Sequence, residues 1–142
     1  MDWALFIDSD VIFPSDALVR LLSHKKNVVG AAYPRRSPPW DLLGQYTEEG
    51  TLPDTGLIEA LKLPTGFLLI NCLVFRMIEK PWFFEKYEPD SGEDYNFCEK
   101  VSTARIKLWC DAGLSREMRH VYESSIQIGK KPPDYLDASV AA

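Results

Sequence analysis

Trp3-Ala4-Leu5-Phe6-Ile7-Asp8-Ser9-Asp10 begins with five consecutive apolar residues and ends on two acids one residue apart. An unbroken apolar run of this length suits a strand buried on both faces, which belongs in a parallel or mixed sheet covered by helices. Pro14-Ser15-Asp16 then supplies a helix start, and Ala17, Leu18, Leu21 and Leu22 follow at helical spacing up to about Lys25. Asn27 to Ala32 returns to strand character. The opening therefore reads as a β-α-β unit, whose crossover implies parallel neighbours in one sheet.

Beyond it, Tyr33 to about Pro53 reads as a long loop rich in Pro, Gly and polar residues. Leu57 to Leu63 and Gly66 to Ile70 are expected as strands, Leu73 to Glu79 as a short helix, and about Gly92 to Ala104 as a longer one. Ile106 to Cys110 and Glu117 to Tyr122 complete the strands. Interleaved helices and strands place the chain in the α/β or mixed class. A single domain is expected over 1–128, with 129–142 as a poorly ordered tail.

Composition narrows the function. The 142 residues carry 16 Lys plus Arg against 21 Asp plus Glu, a net charge of −5, with 46% hydrophobic content. That is enough chain for one buried core. The acidic balance, without a basic block, argues against a nucleic-acid partner, which needs a positive patch to release counterions. Apolar runs such as Phe67 to Ile70 and Cys72 to Phe75 fall well short of the ~20 residues of a membrane span. Cys72, Cys98 and Cys110 are odd in number and far apart, which suggests neither a disulfide framework nor a CxxC zinc site. With no signal-peptide pattern, a cytoplasmic setting is expected.

Several residues carry candidate chemistry. Asp8 and Asp10 lie where the first strand ends, the edge at which ligands bind in open α/β sheets. Paired carboxylates form a hard oxygen site suited to Mg²⁺ or Mn²⁺ completed by substrate phosphates, or a polar turn bonded to local amides. Ser91-Gly92-Glu93-Asp94 matches a capping box. Phe97, Cys98 and Val101 stand three, four and seven residues after Asp94, so Asp94 points along the helix's apolar face, where desolvation raises a carboxyl pKa and makes it a candidate general base. Glu93 is turned by roughly 100° from it, toward a cap or toward ligand hydroxyls.

Strand alternation groups His120 with Met118 and Tyr122, and a neutral imidazole there could join Asp10 as a ligand or simply pack. His24 sits at the basic end of the first helix and needs no role beyond the dipole interaction. Arg35 and Arg36 lie on the same sheet edge as Asp8 and Asp10, where guanidinium groups bind phosphates or carry solvated charge. Trp40 and Trp82 could stack on a sugar or anchor loops. Gly66, after Pro64-Thr65, permits a close backbone approach or a turn.

In this order, Asp8-Ser9-Asp10, Val28-Val29-Gly30-Ala31 with Tyr33-Pro34-Arg35-Arg36, Thr65-Gly66-Phe67, Gly92-Glu93-Asp94-Tyr95-Asn96-Phe97-Cys98, Ile106 to Asp111 and His120 resemble the later part of a GT-A fold, nucleotide-sugar-dependent glycosyltransferase, close to glycosyltransferase family two. The resemblance implies a partial GT-A, Rossmann-like mixed sheet flanked by helices. It implies that Asp10, with or without Asp8, and His120 hold Mn²⁺ or Mg²⁺ on the donor diphosphate. It makes Asp94 the base that deprotonates the acceptor hydroxyl in inverting members and Glu93 an acceptor-binding residue, beside which Arg35 and Arg36 stand as candidate phosphate contacts for the cofactor.

The family's nucleotide-binding half precedes Asp-x-Asp, and only two residues precede the first strand here. The expectation is a fragment of a longer reading frame, a degenerate gene, or a chain whose missing half comes from another, with exposed strand edges favouring a homo-oligomer. Two alternatives compete. A haloacid-dehalogenase-type phosphohydrolase would use Asp8 as nucleophile, Asp10 as acid/base and Glu93-Asp94 as later metal ligands, which in that family follow a strand, and a non-catalytic remnant would retain only the acceptor half.

Overall fold

Phe67-Leu68-Leu69-Ile70-Asn71 forms the strand around which the sheet is built, and all five residues are buried. Leu68 and Ile70 enter one hydrophobic cluster while Phe67 and Leu69 enter another. A strand covered on both faces divides its side chains in this way. The computed structural model describes residues 1–38, 41–46, 52–86 and 92–122. In chain order these form β1 (Trp3–Ile7), β2 (Val11–Ile12), α1 (Ala17–Ser23), β3 (Val28–Gly30), β4 (Gln45–Tyr46), β5 (Leu57–Lys62) and β6 (Phe67–Asn71). Then come α2 (Val74–Met77), α3 (Glu93–Thr103), β7 (Leu108–Asp111), α4 (Ala112–Glu117) and β8 (Arg119–His120).

Six strands make one mixed sheet in the order β1-β6-β3-β7-β5-β4, and β2 pairs with β8 in a separate two-stranded ribbon. Val74, Phe97, Cys98 and Val101 pack α2 and α3 on one face of the sheet. Ala17, Leu21 and Leu114 pack α1 and α4 on the other. The chain thus has the α/β architecture that its sequence predicts, a mixed sheet flanked by helices. Among the described residues, no helix is long and apolar enough to cross a membrane.

Three expectations need correction. β1 is an edge strand paired only with antiparallel β6, so Trp3 to Phe6 are half-buried and Ile7 is exposed rather than buried on both faces. β1 and β3 run the same way but are not neighbours, because β6 enters between them antiparallel to both. The parallel pair is β3 with β7. Glu117 to Tyr122 is not one strand. Asp111 caps a short helix there, its carboxylate accepting the Leu114 N–H at 2.8 Å, and β8 keeps two residues. Ser91 of the expected capping box, Trp40 and the tail 129–142 lie outside the described residues. The residue before α3 is Gly92, which makes no side-chain cap bond.

His24 does more than meet the helix dipole. Its Nε2 lies 2.8 Å from Asp111 Oδ2, with the carboxylate side chain only 9% exposed. The pair ties the end of α1 to the junction of β7 and α4, and removing the imidazole leaves a buried carboxylate with one partner fewer. His24→Ala should cost about 2 kcal/mol in urea unfolding, the range of a hydrogen bond to a charged group. A loss below about 0.5 kcal/mol would contradict the role given to this pair.

Candidate functional site

β1 and β3 end, and β6 begins, at one edge of the sheet. The backbone fixes the acidic turn there. Asp8 N–H donates to the Gly66 carbonyl at 2.9 Å, Val11 N–H to the Asp8 carbonyl at 3.2 Å, and Val121 N–H to the Asp10 carbonyl at 2.8 Å. The first bond continues the β1–β6 ladder, the second closes a tight turn, and the third ties that turn to the residue after β8. Asp8 shares the α2/α3 side of the sheet with Phe6, two residues earlier on the strand, and both line a cavity on that side. Asp10 faces β8. The two acids of Asp8-Ser9-Asp10 therefore serve adjacent but separate places.

At the first place, Asp10 Oδ2 lies 3.2 Å from His120 Nε2 and 3.0 Å from an Arg36 guanidinium nitrogen. His120 Nδ1 lies 2.7 Å from the Pro34 carbonyl oxygen. A carbonyl only accepts, so Nδ1 carries the proton, and in the neutral ring Nε2 presents its lone pair beside the carboxylate. The imidazole side chain is 10% exposed, and the Tyr33 ring meets it edge to face, with centroids 5.1 Å apart. Arg35 pairs instead with Asp41 at 3.1 Å.

This donor set fits a divalent cation. A metal-binding histidine characteristically donates its other ring N–H to a backbone carbonyl or carboxylate, as His120 does to Pro34. The 3.2 Å between nitrogen and oxygen is a spacing that two ligands about 2.0–2.2 Å from a common ion can keep. Among the described residues, no three His, Cys, Asp or Glu side chains converge on one point. Asp10 and His120 meet and Asp8 does not join them, so the remaining ligands would be water and substrate oxygens, an arrangement common for Mg²⁺.

At the second place, Asp94 opens α3 with its carboxylate turned back onto the helix, Oδ1 accepting the Tyr95 N–H at 2.8 Å. Burial pushes its pKa up, backbone N–H groups of Tyr95 and Thr65 pull it partly down, and the charge of Asp8 adds to the rise. The apolar-face placement read from the helical period is observed: Phe97, Cys98 and Val101 are all fully buried. Glu93 is exposed. It lines a cavity of about 380 Å³ together with Phe6, Asp8, Thr65, Phe83, Phe84 and Glu85. A cavity of about 480 Å³ lies between Met77 to Glu79 and the later part of α3, with neither Asp8 nor Asp94 in its lining.

Tyr33 connects the two places and had no role assigned from sequence. It is 3% exposed, and its hydroxyl accepts the Gly66 N–H at 3.1 Å. Burial and, next, the Asp8 charge push its pKa up, so the hydroxyl stays protonated. The available signal was its position three residues after β3, beside Pro34. Trp82, for which sugar stacking or packing was open, packs against Phe75 with ring centroids 4.8 Å apart.

No family model matches this chain, and no curated protein matches it. Among solved structures it is similar to that titled "Crystal Structure of A197 from STIV", at 16% identity and a TM-score of 0.53, over 92% of this chain and 71% of that one. At that identity the likeness shows a shared α/β fold and assigns no activity.

Gly66 is the tightest point of the site. A Cβ there would stand 2.7 Å from Asp8 Oδ2 and 2.6 Å from Tyr33 Cζ, and closer still to the Tyr33 hydroxyl. Gly66→Ala should therefore destabilise by about 1–3 kcal/mol, the usual cost of overpacking. Tyr33→Phe should recover part of that loss, giving a coupling of roughly 1 kcal/mol in a double-mutant cycle read by urea unfolding. Strict additivity would contradict the contact.

Proposed function

We propose that this chain carries the metal and acceptor sites of a GT-A-type glycosyltransferase that moves a sugar from a nucleotide-sugar donor to an acceptor hydroxyl with inversion. The observation that carries the reading is the pairing of Asp10 with His120, whose Nδ1 is committed to Pro34. Asp94, a half-buried carboxylate, stands at the same sheet edge. The resemblance in motif order supports the same reading.

In this scheme Asp10 and His120 would hold Mn²⁺ or Mg²⁺. The bound cation would neutralise charge on the leaving diphosphate. Arg36, exposed and already at the Asp10 carboxylate, can transfer its guanidinium to a phosphate oxygen. Arg35 is held by Asp41 and takes the more distant diphosphate position. Asp94 removes the proton from the attacking hydroxyl. Burial raises its pKa, which makes it a stronger base than an exposed carboxylate. Glu93, at the cavity rim, accepts a hydrogen bond from another acceptor hydroxyl. Inversion follows only if Asp94 acts as that base and no side chain attacks the sugar carbon.

The phosphohydrolase alternative asks Asp8 to act as nucleophile and Asp10 as its acid/base partner. Asp8 and Asp10 face different places here, and Glu93 and Asp94 open a helix instead of following a strand. These features favour transfer.

Thermal unfolding with Mn²⁺ and a panel of UDP- and GDP-sugars tests the reading. A donor at 100 times its Kd should add about 2.7 kcal/mol of stability. Asp10→Ala and His120→Ala should abolish that gain, whereas Asp94→Asn should keep it and lose transfer. Hydrolysis of a generic phosphate ester that Asp8→Asn abolishes would instead support the phosphohydrolase.

A further inference from the structure

We propose that the cavity beside Asp94 admits an uncharged polyhydroxyl acceptor, a sugar presenting one apolar face, and rejects acceptors bearing a carboxylate or phosphate. The inference rests on the transferase reading for the word acceptor, while its chemistry comes from the cavity wall. That wall has two parts. Phe6, Phe83 and Phe84 supply aromatic surface, and Asp8, Glu85 and Glu93 supply carboxylates. Among the described residues its lining includes no Lys or Arg.

The aromatic part is held in place. Phe83 packs on Phe6 with centroids 5.3 Å apart and stacks on fully buried Phe97 at 4.7 Å, so its ring is anchored to the core beneath α3. A fixed aromatic surface matches the C–H face of a pyranose and gains apolar contact from it. The acidic part sets polarity. An ionised carboxylate only accepts hydrogen bonds, and the described structure pairs none of these three acids with a cation, so the ligand must bring donors. Hydroxyl groups do so. A ligand carboxylate or phosphate brings acceptors and a like charge into a partly apolar recess.

Volume agrees. About 380 Å³ lies at the small end of the roughly 300–1,000 Å³ typical of small-molecule sites, room for a terminal sugar residue rather than an extended chain. Asp94 is not part of the wall, but Thr65, whose backbone N–H its carboxylate accepts, and its neighbour Glu93 are, which puts it at the edge of the recess where a sugar resting on the Phe83 surface would present a hydroxyl. The acids thus act in specificity as well as in binding. Their repulsion of anionic rings is what separates two ligands of the same shape.

Saturation-transfer NMR on the whole chain reads this directly, using methyl glycosides of glucose, galactose and mannose beside the corresponding uronic acids. At least one neutral glycoside should receive saturation, strongest on its ring C–H protons. The matching uronic acid should bind roughly ten-fold more weakly or worse in low salt. Raising NaCl from about 20 to about 500 mM should narrow that gap without weakening the neutral ligand, because screening acts on the charge alone. The Glu85→Gln/Glu93→Gln double variant, changed only at exposed positions, should narrow it likewise. Phe83→Ala should lose the neutral ligand.

Equal binding of neutral and anionic rings, or no saturation of any neutral glycoside, overturns the proposal. Nucleotide-sugar stabilisation with Mn²⁺ is scored separately. Stabilisation without charge discrimination removes this inference and leaves the transferase reading, whereas discrimination without stabilisation does the reverse.

Discussion

The burial of β6 on both faces is the constraint on which the remaining arrangement depends. Its five residues need neighbours on each side and helices above and below, and β1 and β3 meet the first need by pairing antiparallel to it. Those two strands must then end at the same edge, where β6 begins. Asp8, Tyr33 and Gly66 are brought together as a result, with the Asp8 N–H on the Gly66 carbonyl and the Gly66 N–H on the Tyr33 hydroxyl. The α2/α3 layer that covers one face of β6 delivers Asp94 to that edge. A change in β6 packing would reach the site through these bonds before it touched any acid directly.

The site concentrates acids in a small region, and the fold manages their repulsion by separating them. Asp10 is turned toward Arg36 and His120. Asp94 takes backbone N–H groups of its own helix start and of Thr65. Asp8 lies between, beside the protonated Tyr33 hydroxyl. Each acid thus meets a different group: the Arg36 guanidinium, backbone amides, or a phenol. That separation gives chemically similar carboxylates distinct surroundings, and the proposed division between a cation ligand and a base rests on it.

The features legible in sequence were those set by local pattern. The apolar run before Asp8, the helical spacing of Phe97, Cys98 and Val101 behind Asp94, and the uniformly apolar Phe67 to Ile70 each have a periodicity that survives folding. Strand order was not legible, because it depends on β6 entering between β1 and β3, a long-range pairing with no local signature. The edge exposure of β1 followed from the same pairing. Asp111 was read as the end of a strand, yet its carboxylate caps α4 and pairs with His24, 87 positions away. Tyr33 escaped notice because a tyrosine after a strand is ordinary until Gly66 and His120 are seen against it. The division of labour between Asp8 and Asp10 is likewise a property of the turn that separates them.

The proposed cation site joins His120 and Asp10, with the Pro34 carbonyl setting the imidazole tautomer. Electron spin resonance of Mn²⁺ added to the chain tests it most directly, because a coordinated imidazole imprints nitrogen hyperfine coupling on the metal signal. The account predicts that coupling in the native chain, its disappearance in His120→Gln, and loss of bound Mn²⁺ in Asp10→Ala. Bound Mn²⁺ without nitrogen coupling, or coupling that persists after His120 is replaced, would contradict it.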